Sequence, residues 1–279
     1  MRIGIKSCDF GKHTTDELAR IISGKGFDSI QLSLPDSISD IDVGPGKLSP
    51  GMANHIRKTF SSYGIRIAAL ECYINPIVSD EVERKRQIGM FKEHIRYTRD
   101  FGCSTISTAT GSLNADFSFN EKNYSEETFQ ALLCSMNEMV EEAEKFGVMI
   151  CIEGDKAYCV HSAQRIRRLL DEIDSNNLQV LYDPVDLLTM DTYKDQDNVI
   201  KESFDLFGDR IAIFHAKDYM IENNCVKSVQ PGNGRLNYEL LFKLLKSRKP
   251  YIDIIMEHID PEIVDKGISY IKGIYDSVK

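Results

Sequence analysis

Along the chain, short runs of consecutive apolar residues alternate with longer stretches in which apolar residues recur every three or four positions. The first kind reads as a strand buried on both faces, the second as a helix covering it. Eight such pairs can be traced. Strands are predicted at Arg2–Ser7, Ser29–Leu34, Ile65–Tyr73, Ser104–Gly111, Val148–Gly154, Leu178–Pro184, Arg210–Met220 and Asp253–His258. The helices between them carry their own boundary signals. Thr14 and Glu17 form a capping box at the first. Gly64, Gly102 and Gly147 stand at the ends of the next three, the second of these running Glu81–Phe101, and Glu262–Val278 forms the last helix. Eight βα units in 279 residues predict an α/β fold, a (β/α)8 TIM barrel forming one domain over residues 1–279. A doubly wound sheet is the alternative. Its first turn would be "SCDFGKHT", which lacks G-x-G-x-x-G, so dinucleotide binding is unsupported.

In such a barrel the reactive groups stand at the C-terminal ends of the strands. Four consecutive strands end in a donor: Glu153 on the fifth, Asp183 on the sixth, His215 on the seventh and Glu257 on the eighth. Each has an ordinary explanation when taken singly. An Asp before Pro caps a turn, a Glu at a strand end is solvated, and a His in an apolar run is a hydrogen-bonded core residue. Four coincidences at one rim are harder to explain in this way. Three carboxylates with one imidazole suit one divalent metal ion, Mn2+ first, with Mg2+, Co2+, Zn2+ or Fe2+ as alternatives.

The segments around these residues resemble a known family. "CIEGD" holds Glu153, "LYDPVDLL" holds Asp183, "FHAKDY" holds His215 and is followed by "PGNGRLNY", and "IIMEH" holds Glu257. All five resemble motifs of the sugar phosphate isomerase/epimerase family, the xylose isomerase-like TIM barrels, and the resemblance runs from the first strand to the last helix. It implies Glu153, Asp183, His215 and Glu257 as ligands of one metal, with Glu153 and Glu257 also catalytic as acid and base on opposite faces of a sugar. The expected activity is that of a metal-dependent isomerase or epimerase of a sugar or sugar phosphate, working through an enediolate held by the metal. The alternatives are an inosose-type dehydratase on the same site, an endonuclease-like metal hydrolase, and a sugar-binding barrel without activity. The apurinic endonuclease branch needs further His ligands for three zinc ions; of six His here, only His215 and His258 lie at a strand end.

The chain also departs from the family. The ketose 3-epimerases carry a His where this chain has Asp186 and an Arg where it has Ile221, and both normally touch substrate. Asp186, Lys217 and Asn75 are therefore taken as substrate-binding candidates. Lys217 either binds a substrate hydroxyl or phosphate or pairs with Asp218 or another rim carboxylate. Asp218 reads as an orienting or loop residue, and "PGNG" as a turn whose backbone N–H groups could face substrate. Tyr73 is a further pocket candidate, and Glu71 faces either solvent or the barrel centre.

Composition narrows the partners. A net charge of −9 argues against a non-specific nucleic-acid binder. The seven cysteines are scattered without a C-x-x-C and read as reduced thiols. "MRIGIKSCDF" has no apolar stretch long enough for a signal peptide, and no run approaches a membrane span of about 20 residues, so a cytoplasmic protein is expected. The expected partner is a small carbohydrate. Exposed barrel helices commonly pair, which leaves a homo-oligomer open.

Overall fold

The structure, a computed structural model, describes residues 2–278. Eight parallel strands close into a barrel: β1 (Arg2–Lys6), β2 (Ser29–Ser33), β3 (Arg66–Glu71), β4 (Thr105–Ala109), β5 (Met149–Glu153), β6 (Leu178–Tyr182), β7 (Ile211–Ala216) and β10 (Asp253–Met256). The last two are separated by a hairpin of β8 (Asp218–Glu222) and β9 (Cys225–Val229). Closure pairs β1 with β10, from Arg2 opposite Asp253 to Ile5 opposite Met256. The predicted α/β barrel is the observed fold.

The covering helices are α1 (Thr15–Gly24), α3 (Pro50–Ser62), α4 (Glu81–Tyr97), α5 (Glu126–Phe146), α6 (Ala163–Ile173), α7 (Gln196–Phe207), α8 (Tyr238–Arg248) and α9 (Val264–Ser277), with a short turn of helix, α2 (Leu34–Ser37), after β2. The Thr14–Glu17 capping box forms as expected, and α5 stops at Gly147, whose φ is 61°. The α4 helix ends earlier than the expected Phe101. Thr98 there turns its hydroxyl back onto the His94 carbonyl, and the chain reaches the left-handed Gly102 through turns. No helix among the described residues is long and apolar enough to cross a membrane, and all seven cysteines are unpaired.

The largest departure lies at the seventh strand. The expected single strand Arg210–Met220 breaks after Ala216, and Asp218 begins the hairpin. Asn223 and Asn224 both adopt positive φ at its tip, 51° and 57°, the conformation a two-residue hairpin turn requires.

The core has two layers. Most of it lies between the outer barrel face and the helices, where Tyr182, Phe204, Phe207, Phe214 and Phe242 stack edge to face or tilted. A smaller cluster of Ala68, Ala69, Cys151, Leu181, Ile213 and Ile255 fills the barrel interior.

Candidate metal centre

Strand parity decides which side chains enter the barrel mouth. Ala69, Cys151, Leu181, Ile213 and Ile255 belong to the interior cluster. Side chains alternate faces along a strand, so the residue two positions further enters again, one layer higher. Those residues are Glu71, Glu153, Asp183, His215 and Glu257. All five are buried. Lys6 from β1 and Gln31 from β2 reach the same level.

Donor atoms of Glu153, Asp183, His215 and Glu257 lie within 4.8 Å of one another. His215 Nδ1 is 3.1 Å from Glu153 Oε1, 3.0 Å from Glu257 Oε2 and 4.0 Å from Asp183 Oδ2, yet none of these is aligned as a hydrogen bond. The other ring nitrogen fixes the tautomer. The Gln31 amide N–H donates to Glu71 Oε2 at 2.8 Å, so Gln31 Oε1 is an acceptor and receives the Nε2 proton of His215 at 3.0 Å. Nδ1 is therefore the nitrogen that faces inward, and it offers a lone pair there once a bound cation displaces its proton. It is one of three buried atoms here without a hydrogen-bond partner, the others being Glu153 Oε1 and Asp183 Oδ2. Orphaned buried polar atoms are costly and uncommon. Asp183 Oδ2 has an ion pair with Lys217 at 3.0 Å, while Nδ1 and Glu153 Oε1 face only one another and the neighbouring carboxylates; the four groups together fit a divalent cation in donor type and charge.

Electrostatics point the same way. Burial alone would lower the pKa of His215, but Glu257 and Glu153 outweigh it and carry it up to about 10. Burial holds Asp183 up at about 6 despite Lys217 beside it. The cluster is short of positive charge and takes protons to make up the deficit.

Residues 16–274 match the family described as xylose isomerase-like TIM barrel. The chain belongs to this family. Its fold is shared with a D-psicose 3-epimerase from Clostridium cellulolyticum H10 bound to D-tagatose (TM-score 0.73, 16% identity, covering 100% of this chain and 99% of that one). It is shared equally with a 3-keto-D-glucoside 4-epimerase from E. coli (TM-score 0.75, 17% identity, 98% and 99%). A xylose isomerase-like barrel from Mycobacterium smegmatis in complex with magnesium is similar too (TM-score 0.75, 14% identity, 99% and 97%). Likeness at these identities is one of fold. No curated protein sequence matches the chain.

Within this family's barrel mouth, a pocket of about 490 Å3 opens above the four donors. Lys217 and Asp186 line it, together with Lys6, Tyr73, Tyr158 and His258. Lys217 is buried and forms ion pairs with Asp183 (3.0 Å), Asp186 (2.9 Å) and Glu257 (3.3 Å). Its pairing is with these three rim carboxylates and not with Asp218, and it stays on the pocket lining. The Asp218 carboxylate instead accepts the backbone N–H groups of Tyr219, Gly232, Gly234 and Leu236. The "PGNG" amides at Gly232 and Gly234 are thus occupied by Asp218 and do not face the pocket. A Cβ at Gly234 would come within 2.3 Å of Asp218 Oδ1, which explains the glycine.

Asn75 is not brought to the pocket. It is fully buried, its amide donating to the Ser112 and Asn114 carbonyls and its oxygen accepting from the Ser112 and Ile77 amides. It ties the β3–α4 loop to the β4–α5 loop, and Gly111, with φ 81°, leaves room for it. Sequence reasoning missed Lys6, whose Nζ lies 2.9 Å from Glu257 Oε1 and 3.5 Å from Glu71 Oε2, and Gln31, which links Glu71 to His215. Strand parity carried a signal for both. Glu71 faces the barrel centre, and the Tyr73 hydroxyl donates to Glu153 Oε2 at 2.5 Å.

Proposed function

We propose that the chain is a divalent-metal-dependent sugar epimerase or isomerase, with Glu153, Asp183, His215 and Glu257 as ligands. The observation that supports this most directly is the convergence of two buried donor atoms without a hydrogen-bond partner, His215 Nδ1 and Glu153 Oε1, with the Asp183 and Glu257 carboxylates. A divalent ion there, Mn2+ by first preference, would act as a Lewis acid on a substrate carbonyl and its neighbouring hydroxyl. The protein's part is to move a proton on the adjacent carbon. One glutamate removes it from one face, and the other supplies a proton to the opposite face.

The two glutamates have different surroundings. Burial would raise both, but cations outweigh it: His215 lowers Glu153, and Lys217 with Lys6 drives Glu257 further down. Glu153 has a neutral phenol, Tyr73, on its outer oxygen. It is the better base and is assigned the first proton removal. The cations on the pocket floor, Lys6 and Lys217, are spent on carboxylates. A free sugar therefore suits the floor better than a phosphate. Phe117 and Tyr158, ring centres 5.8 Å apart, offer an apolar face beside the substrate.

Turnover of ketoses, aldoses and keto-inositols in D2O with Mn2+ tests the reading. The expected result is deuterium at the carbon next to the carbonyl, and a loss of about 10²-fold or more in Glu153→Gln and Glu257→Gln, with metal at least partly retained. Conversion without solvent deuterium would contradict the two-base reading.

A further inference from the structure

Beside the metal pocket lies a second chamber of about 200 Å3, and Tyr73 lines both. Its walls are largely apolar: Pro35, Val43, Pro45, Cys72, Met90 and the Tyr73 ring. Asp36 stands exposed on its lining. The loop over it is held to α4 by Glu93, which accepts from the backbone N–H groups of Gly46 at 2.7 Å and Leu48 at 3.1 Å.

The polar groups of this chamber share one property. His94 is 4% exposed, and its Nδ1 lies 2.9 Å from the Met90 carbonyl. A carbonyl only accepts, so Nδ1 carries the proton and Nε2 is left as an acceptor. Nε2 has no hydrogen-bond partner among the described residues, and burial pushes the imidazole pKa down, away from the doubly protonated form. Glu71, 5% exposed, uses Oε2 for Gln31 and Lys6 and has no hydrogen-bond partner on Oε1 among the described residues. Asp36 accepts from Ser33 through Oδ2 at 2.6 Å. The unspent side-chain oxygen and nitrogen atoms facing the chamber are acceptors, and the Cys72 thiol is the one weak donor on its lining. Neither His94 nor Asp36 has a part in the proposed proton transfer. A buried imidazole on the lining of a largely apolar chamber, with no protein partner on Nε2 among the described residues, offers an acceptor that a ligand can satisfy.

We propose that this chamber is a second ligand site, taking a ring-sized apolar group that carries a hydrogen-bond donor, either a hydroxyl or an ammonium. An apolar cavity of about 150 Å3 admits a benzene-sized group, so the volume suits a six-membered ring. The two carboxylates exclude an anion, and the acceptor set selects a donor. The site stands apart from the epimerase reading and needs no turnover to be seen.

The full-length protein is titrated with cyclohexanol, cyclohexylammonium and cyclohexanecarboxylate while the His94 imidazole resonance is followed by NMR. Saturable binding of one or both donors in the millimolar range is expected, with a shift at His94 and none from the carboxylate. The tighter of the two donors identifies the natural ligand as an alcohol or an amine. His94→Leu removes the acceptor and is expected to weaken binding about tenfold. Val43→Trp, at a half-buried wall position on the loop facing α4, fills the chamber while leaving every residue of α4 in place and is expected to abolish binding. No saturable shift up to about 50 mM, undiminished binding in Val43→Trp, or equal binding of the carboxylate overturns the proposal.

Discussion

Replacing Lys217 by Met removes one ammonium from among three carboxylates while nearly keeping the side-chain volume. Its Nζ lies 3.0 Å from Asp183, 2.9 Å from Asp186 and 3.3 Å from Glu257, and the residue is 3% exposed. At an effective dielectric of about 20, one unit pair 3 Å apart is worth roughly 5 kcal/mol before desolvation. Taking the ammonium out of water offsets several kcal/mol of that, and breaking such a pair from one side costs about 3–5 kcal/mol. At roughly 2 °C per kcal/mol for a chain of this length, Tm in chelator at pH 8 falls by about 6–10 °C. The loss depends on pH. Burial already raises Asp183 to about 6 with Lys217 in place, and without the ammonium it moves higher. A carboxyl raised in the folded state stabilises the fold below its unfolded pKa and loses that contribution as pH rises through the folded value. The variant is therefore nearest to wild type at pH 5 and furthest from it at pH 8. A divalent cation replaces the missing charge, so Mn2+ raises Tm more in Lys217→Met than in wild type. Differential scanning calorimetry with chelator and with Mn2+, at both pH values, reads all of this. Equal Tm values in chelator at pH 8, or a smaller Mn2+ increment in the variant, would refute the charge-deficit reasoning.

Three further outcomes are expected. Mn2+ binding at pH 8 releases about one proton, because the ion-free His215 is protonated up to about 10; affinity then rises about tenfold per pH unit from 7 to 9, and calorimetry in buffers of different ionisation enthalpy showing no proton release contradicts it. Tyr73→Phe removes the donor on Glu153 Oε2 and slows turnover about tenfold, with metal content unchanged by elemental analysis; an unchanged rate removes Tyr73 from the mechanism. Asn75→Ala orphans two carbonyls and two amides in the loops beside the pocket and costs about 2–4 kcal/mol in urea unfolding, with the Michaelis constant altered less than threefold; a raised Michaelis constant at full stability returns Asn75 to the substrate site.

The barrel was legible because its signals are local. A buried parallel strand is an apolar run wherever it ends up, and a cap or a terminal glycine acts within one turn. The four donors were legible for the same reason. Glu153, Asp183, His215 and Glu257 each follow the last interior residue of a strand by two positions, and that parity is written in the chain. Parity pointed equally to Lys6 and Gln31, but a lysine and a glutamine at strand ends carry no metal signature on their own. The hairpin after β7 was also written, in an Asn-Asn turn between short alternating segments, and was absorbed into one long strand.

Partners were a different matter. Lys6 meets Glu257 across 251 residues of chain, and Gln31 meets His215 across 184. Only barrel closure sets β1 against β10 and brings those side chains to one level. Whether Lys217 is free or paired, and whether Asn75 faces the pocket or ties two loops together, turned on which groups arrived within hydrogen-bond distance of each. The sequence alone determined the elements, the fold and the donors at the rim, because periodicity and strand-end position are properties of neighbouring residues. The tertiary structure decided which charges are already neutralised and which donor atoms remain unpaired, because hydrogen bonds and ion pairs act over a few ångströms between residues the chain keeps far apart.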